Sequence, residues 1–334
     1  SGVWIMSYTN GLDDPSAFFQ IQIWDGNGST NAITFDGNSD MQPDMVWIKI
    51  RVGSNSGVIH DSVRGTTKRI ETANTGAEST VSSFSSFDTD GFTLSGNDGY
   101  VNTNDDSNTY CAWSWKKQAG VFDIQTYTGN GSARTISHNL GAVPKMMIIK
   151  KRNTAAPWSV GHASLGANQV LELNETDAVA TDATYWNNTR PTSSVFTVGT
   201  DGNQNTDGHT YVIYLFGNKQ GVSKCGSYVG NGSTNGSTIF CGFKPAFVMV
   251  KKSSATNNWV MQDTKRNPHN MMTEFLMANV ADAESTGLNF DFLSNGFKLR
   301  SASGGTNTSG ATYIYIAFAE NPFVTSTGVP ATAR

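Results

Sequence analysis

A stretch of about a hundred residues occurs three times in this chain, and that repetition constrains the fold more than any other feature. Trp24-Asp25-Gly26-Asn27-Gly28-Ser29 returns as Tyr127-Thr128-Gly129-Asn130-Gly131-Ser132 and as Tyr228-Val229-Gly230-Asn231-Gly232-Ser233. Pro43, Pro144 and Pro245 follow at a constant interval of 101 residues, each opening an apolar strand that reaches a lysine: Lys49, Lys150 and Lys251. Phe92, Phe196 and Phe297 mark a third anchor, and Tyr110, Tyr211 and Tyr313 open aromatic closing strands at intervals of 101 and 102. Solenoid and propeller units usually run to roughly 20–50 residues because each needs its neighbours. A repeat of twice that length can bury a core of its own, and it has the size of a β-sandwich domain.

Composition agrees. The 34 glycines, with abundant Asn, Ser and Thr, suit short strands and tight turns and suit long helices poorly. The 18 Phe, 10 Tyr and 8 Trp supply surface to bury, which excludes a disordered chain. The expectation is an all-β chain of three tandem β-sandwich (jelly-roll-like) domains with short linkers. The boundaries are a connector over 1–17, copies over 18–119, 120–220 and 221–323, and a surface tail over 324–334. The Pro-led strands are continuously apolar, and the closing strands are apolar on both faces, as expected of strands held between two layers. The best helix formers fall in 71–78, 170–180 and 270–283, and Met271–Ala278 reads either as a helical turn or as a longer strand. Joints as short as Lys116–Gly120 and Gly217–Gly221 leave either a rigid rod or a compact pseudo-threefold cluster.

A net charge of −4 and a pI near 5.7 argue against a nucleic-acid binder. No apolar run is long enough to span a bilayer, so membrane insertion is not expected. Ser1-Gly2-Val3-Trp4-Ile5-Met6 has neither a signal-peptide pattern nor an initiator Met, which suggests a fragment or a processed chain. Three cysteines make no disulfide framework: Cys225 and Cys241 could pair if their strands are neighbours, while two buried thiols are the commoner outcome, and Cys111 reads as buried.

Candidate chemistry is sparse. His60-Asp61-Ser62 holds three catalytic residue types, yet neighbours on a strand point to opposite faces, and Asp61 aligns with His162 and Asp263 without a His or Ser each time. A polar strand end is the better reading. Asp88-Thr89-Asp90-Gly91 and the acidic segment Asp201–Gly208 leave a loose calcium site open, but the twelfth residue from Asp88 is Gly99, so the EF-hand pattern fails and a hairpin is the default. The three Asn-Gly-Ser triplets fit a glycosylation sequon but read better as turns with positive φ at both central residues. The three lysines, followed by Arg51, Lys151, Arg152 and Lys252, read as solvated strand ends, with an anion site as the competing reading. No phosphate loop, dinucleotide fingerprint or metal-ligand cluster is present. Trp158 and Trp259 occupy a repeated position and read as core.

Tyr185-Trp186-Asn187-Asn188-Thr189-Arg190 differs, because no aromatic pair stands there in the other copies. Tyr185 and Trp186 could stack on sugar rings while Asn188 and Arg190 bond hydroxyls; packing against the next copy is the competing reading.

Taken together, the Gly-Asn-Gly turn, the Pro-led strand ending in Lys, His60-Asp61-Ser62-Val63-Arg64-Gly65, Ser86–Leu94 and the close Tyr313–Phe323 resemble a family of tandem domains of about a hundred residues. These lie in C-terminal parts of tail-fibre-like virion proteins of tailed, often marine, bacteriophages. The second copy departs most, lacking the Asp-Ser-Val-Arg-Gly stretch. The resemblance implies a non-catalytic protein on the virion surface that binds a host-surface polysaccharide or receptor and contacts other virion proteins. A purely structural fibre segment or capsid decoration is the alternative, and a capsule depolymerase the third. Such fibres are commonly homotrimers, and three copies in one chain could equally supply a pseudo-threefold head. The resemblance carries over no catalytic residue and no cofactor.

Overall fold

A computed structural model of the chain describes residues 12–96 and 104–333. Of the expected connector, residues 1–11 lie outside this description, Ser1–Met6 among them, while Pro15–Ala17 form one 3-10 turn capped by Asp14.

The protein is all-β, with antiparallel sheets in two layers. In the first copy, a six-stranded sheet runs in the order Phe19–Asp25, Thr109–Trp115, Met45–Ile50, Val58–Asp61, Lys68–Glu71, Ser79–Thr80. The second copy repeats this order with Phe122–Thr128, Thr210–Phe216, Met146–Lys151, Trp158–His162, Gln169–Glu172 and Ala180–Thr181. The third repeats its first five positions with Ser223–Val229, Thr312–Pro322, Phe243–Lys252, Trp259–Asp263 and Met272–Met277. There the sheet continues through Ser285–Leu293 and Gly296–Leu299 to Thr238–Phe240. The segment rich in helix formers is thus a strand, and Met272, Phe275 and Leu276 enter three different buried clusters.

The closing strand sits between the first and the Pro-led strands, which explains its two apolar faces. One face of the first copy's sheet, with Val46, Ile48, Tyr110 and Ala112, packs on Phe84, Phe92 and Leu94 of a three-stranded outer sheet. The other face, with Met45, Trp47, Trp113 and Trp115, joins one hydrophobic cluster that draws on all three copies. What covers the inner face of each sheet is the other two copies.

The symmetry of this packing is visible in three equivalent rings. The centroid of Trp115 lies 6.0 Å from Phe216 and 5.6 Å from Phe318, and Phe216 lies 6.0 Å from Phe318. The copies therefore form a pseudo-threefold cluster and not a rod. Past the last strand, Ser326 hydrogen-bonds through its amide and hydroxyl to Asp13, so the tail lies beside the start of the described chain.

Candidate functional site

A set of buried charged residues sits in the seams between copies. Lys49, Lys150 and Lys251 are buried, which corrects the solvated-strand-end reading. Each follows the inward-facing positions of its Pro-led strand and donates to a backbone carbonyl of the preceding copy in cyclic order. Lys150 Nζ reaches Thr75 O at 3.1 Å, Lys251 Nζ reaches Thr176 O at 2.8 Å, and Lys49 Nζ closes the ring on Val280 O at 2.7 Å. Burial pulls each ammonium down to about 8. The residues expected as core, Trp158 and Trp259, span the same seams, donating to Glu71 O and Glu172 O at 3.0 Å.

Two seams carry a buried ionic network and the third does not. Between copies one and two, Arg64 binds Asp61 at 2.5 Å and Glu78 at 3.2 Å; Glu78 also takes Arg152, and Tyr214 donates to Asp61 at 2.8 Å. Between copies three and one, Arg266 binds Asp263 at 2.6 Å and Glu284 at 3.0 Å; Glu284 takes Arg51, and Trp113 Nε1 donates to Asp263 at 3.1 Å. Between copies two and three the corresponding residues are His162, Leu165, Val179, Ser253 and Ile316. Ile316 cannot donate, and His162 Nε2 instead donates to Tyr315 O at 3.2 Å.

His60-Asp61-Ser62 is accordingly no triad. Asp61 turns into the seam, while His60 stacks on Phe84 in the outer layer with ring centroids 4.5 Å apart. Ser62 donates to Asp44 at 2.6 Å. The strand end is polar but buried. Burial, with Arg64 and Arg69 nearby, pulls the His60 imidazole down to about 3, and burial pulls His162 to about 4. Both lie below the ordinary value of 6.5, so the stability from keeping these rings neutral is complete above pH 6.5 and is lost as pH falls toward 4. A His60→Phe variant is expected to lose about 2 kcal/mol less than the parent between pH 7 and pH 5, read from urea unfolding. Equal losses would contradict the assignment.

The remaining motifs have partners within their own turns and helices. Thr89-Asp90 is the turn of a hairpin in which Asp88 accepts from Ser86 Oγ and Thr93 Oγ1. Asp201 caps the short helix Gly202–Asn205. Gly28, Gly131 and Gly232 have φ of 65°, 70° and 68°, whereas the asparagines before them do not, correcting the expectation of positive φ at both. Those asparagines instead make Asx turns, accepting from the Ser29, Ser132 and Ser233 amides. Sequence reasoning missed the partners of these turns, the buried Asn104, Asn205 and Asn307, whose Nδ2 groups donate to Ser29 O, Ser132 O and Ser233 O at 2.6, 2.7 and 2.8 Å. Their spacing of 101 and 102 residues was the available signal. Cys111, Cys225 and Cys241 are free and buried, so the Cys225–Cys241 bridge is not formed.

The one cleft with a distinct composition lies in the second copy. Where the first copy has the outer strand Phe84–Asp88, the second has a helix, Ala183–Trp186, capped by Asp182 and leaving through Asn187 and Asn188, both at φ 50°. Asn tolerates that left-handed conformation. The exchange is matched across the sheet: Gly161 stands at the position of His60 and Gln262, and a Cβ there would meet the Trp186 ring at 3.0 Å. Trp186 therefore tucks over Gly161 and donates its Nε1 to Gln169 O at 3.0 Å. A cleft of about 300 Å³ remains, floored by Pro144, Met147 and Trp186 and rimmed by Lys145, Gln169 and Arg190.

Of the four residues singled out, Trp186 and Arg190 line this cleft, while Tyr185 and Asn188 do not. Tyr185 is packed in the copy's own core with its hydroxyl accepting from Asn203 at 3.0 Å, so its face is closed to a sugar. Asn188 serves the chain reversal. Trp186 is 3% exposed, so little of its ring is open to a ligand in the cleft. Lys145 and Gln169 were not foreseen, since nothing local separates them from surface polar residues.

These features define an all-β, two-layer protein with a small pocket built into one of three similar copies. The chain belongs to the family described as a domain of unknown function (DUF7483), whose model matches residues 14–322 in a single span covering all three copies. A search of curated proteins returned no relative of the chain.

Proposed function

We propose that this chain is a non-catalytic module of a bacteriophage virion surface protein that binds a host-surface saccharide in the cleft of its second copy. The carrying observation is the local exchange of an outer strand for the Trp186 helix, beside a pocket with an apolar floor and a polar rim. Its volume stands at the lower end for small-ligand pockets, about 300 Å³, and suits a single sugar ring. Support for the virion setting comes from the resemblance of the repeat to phage tandem domains. Binding to arrayed bacterial surface polysaccharides tests the reading: the intact protein is expected to bind a subset, and Arg190→Ala to weaken that binding at least tenfold. No binding to any polysaccharide would count against adhesion.

The second reading is a purely structural virion part, favoured by the triangle of Trp115, Phe216 and Phe318, which gives one chain the symmetry of a trimer. It predicts that imaging of particles finds the cleft covered by another virion chain.

A further inference from the structure

We infer that the cleft of the second copy selects an acidic sugar, one whose ring carries a carboxylate; this rests on the saccharide reading above. Two cations, Lys145 and Arg190, stand on its rim, and no Asp or Glu lines it. Neither cation joins an ion pair among the described residues. The chain as a whole carries a net charge of −4, so a lining with two cations and no carboxylate runs against its average charge. The larger pocket, about 590 Å³ between copies one and three, shows the contrast: its Lys265 is held by Asp36, and Glu320 lines it too. That pocket sets two carboxylates against one cation, whereas the cleft has two cations and no carboxylate.

The donors of the rim are also arranged for an acceptor. Arg190 donates one Nη2–H to Leu165 O, which tethers one arm of the guanidinium at the rim and leaves other N–H groups to face a ligand. A planar fork held in this way matches a carboxylate better than a hydroxyl. Gln169 accepts from the Gly166 amide at 2.7 Å through Oε1, so its Nε2 is the end left to donate. His162 adds no positive charge at neutral pH, being held neutral by burial and engaged with Tyr315 O. Beneath these donors lie the buried Pro144, Met147 and Trp186, an apolar floor for one sugar ring.

Titration of the full chain with single sugars, followed by NMR on the Trp186 indole N–H, tests the inference. Glucuronate and galacturonate are expected to shift that signal at concentrations at least tenfold lower than glucose or galactose, with affinity falling as salt is raised. Arg190→Gln should lose tenfold or more for the uronates and little for neutral sugars, and Lys145→Gln severalfold, with melting temperatures unchanged. Equal response to neutral and acidic sugars would overturn the inference while leaving the saccharide reading intact. Response to a sulfated sugar but not to a uronate would overturn the carboxylate assignment alone. Uronate binding that survives Arg190→Gln would place the site elsewhere and overturn the inference, and no response to any sugar would remove both.

Discussion

Arg64→Leu is expected to destabilise the protein by about 3–5 kcal/mol in urea unfolding, and adding Asp61→His to return most of that loss. Removing the guanidinium alone leaves a fully buried carboxylate without a charged partner, held only by the Tyr214 hydroxyl and the amides of residues 63 and 64. The seam between copies two and three shows what the same site looks like without ions: His162 and Leu165 stand where Asp61 and Arg64 do. Carrying the whole set over, with Glu78→Val, Arg152→Ser and Tyr214→Ile, should come within about 1–2 kcal/mol of the parent, because a buried ionic network often only breaks even with an apolar one of similar shape. A single-substitution loss below about 1 kcal/mol would mean that the seam is wet and the network decorative.

Trp115→Ala carries the other large effect, about 3–5 kcal/mol. Its ring touches Phe19 of its own copy, Phe122 and Phe216 of the second, and Phe247 and Phe318 of the third, at centroid separations between 5.0 and 6.3 Å. The cavity opens at the meeting point of all three sheets, so the near-ultraviolet circular dichroism of the whole aromatic cluster should weaken and the entire unfolding transition should move down in temperature. A shift confined to a fraction of the transition would assign Trp115 to one copy alone.

Much of this fold can be read from spacing, and the limits of that reading have physical causes. The Pro-led strands and the closing strands announce two apolar faces by composition alone, and the described sheets place them centrally. Periodicity reports that a face is apolar and is silent on what covers it, so the expectation that each copy buries its own core missed the shared cluster around Trp115. Lys49, Lys150 and Lys251 looked solvated because their acceptors are backbone carbonyls of another copy, and a carbonyl leaves no mark in sequence. The Tyr185-Trp186 pair was legible as a departure from the repeat, which it is, since it builds a helix in place of a strand. Its role was not legible: Gly161, twenty-five positions earlier, decides that the indole turns inward instead of facing a ligand.

The DUF7483 match, running unbroken from residue 14 to residue 322, agrees with a unit larger than one repeat. Scanning calorimetry on the intact chain tests that claim most directly. A body held by one shared core and by three ring-closing lysines should melt in a single transition whose calorimetric and van't Hoff enthalpies agree, moved as a whole by Trp115→Ala and by Arg64→Leu. Three resolvable transitions, with only the first displaced by these substitutions, would contradict it.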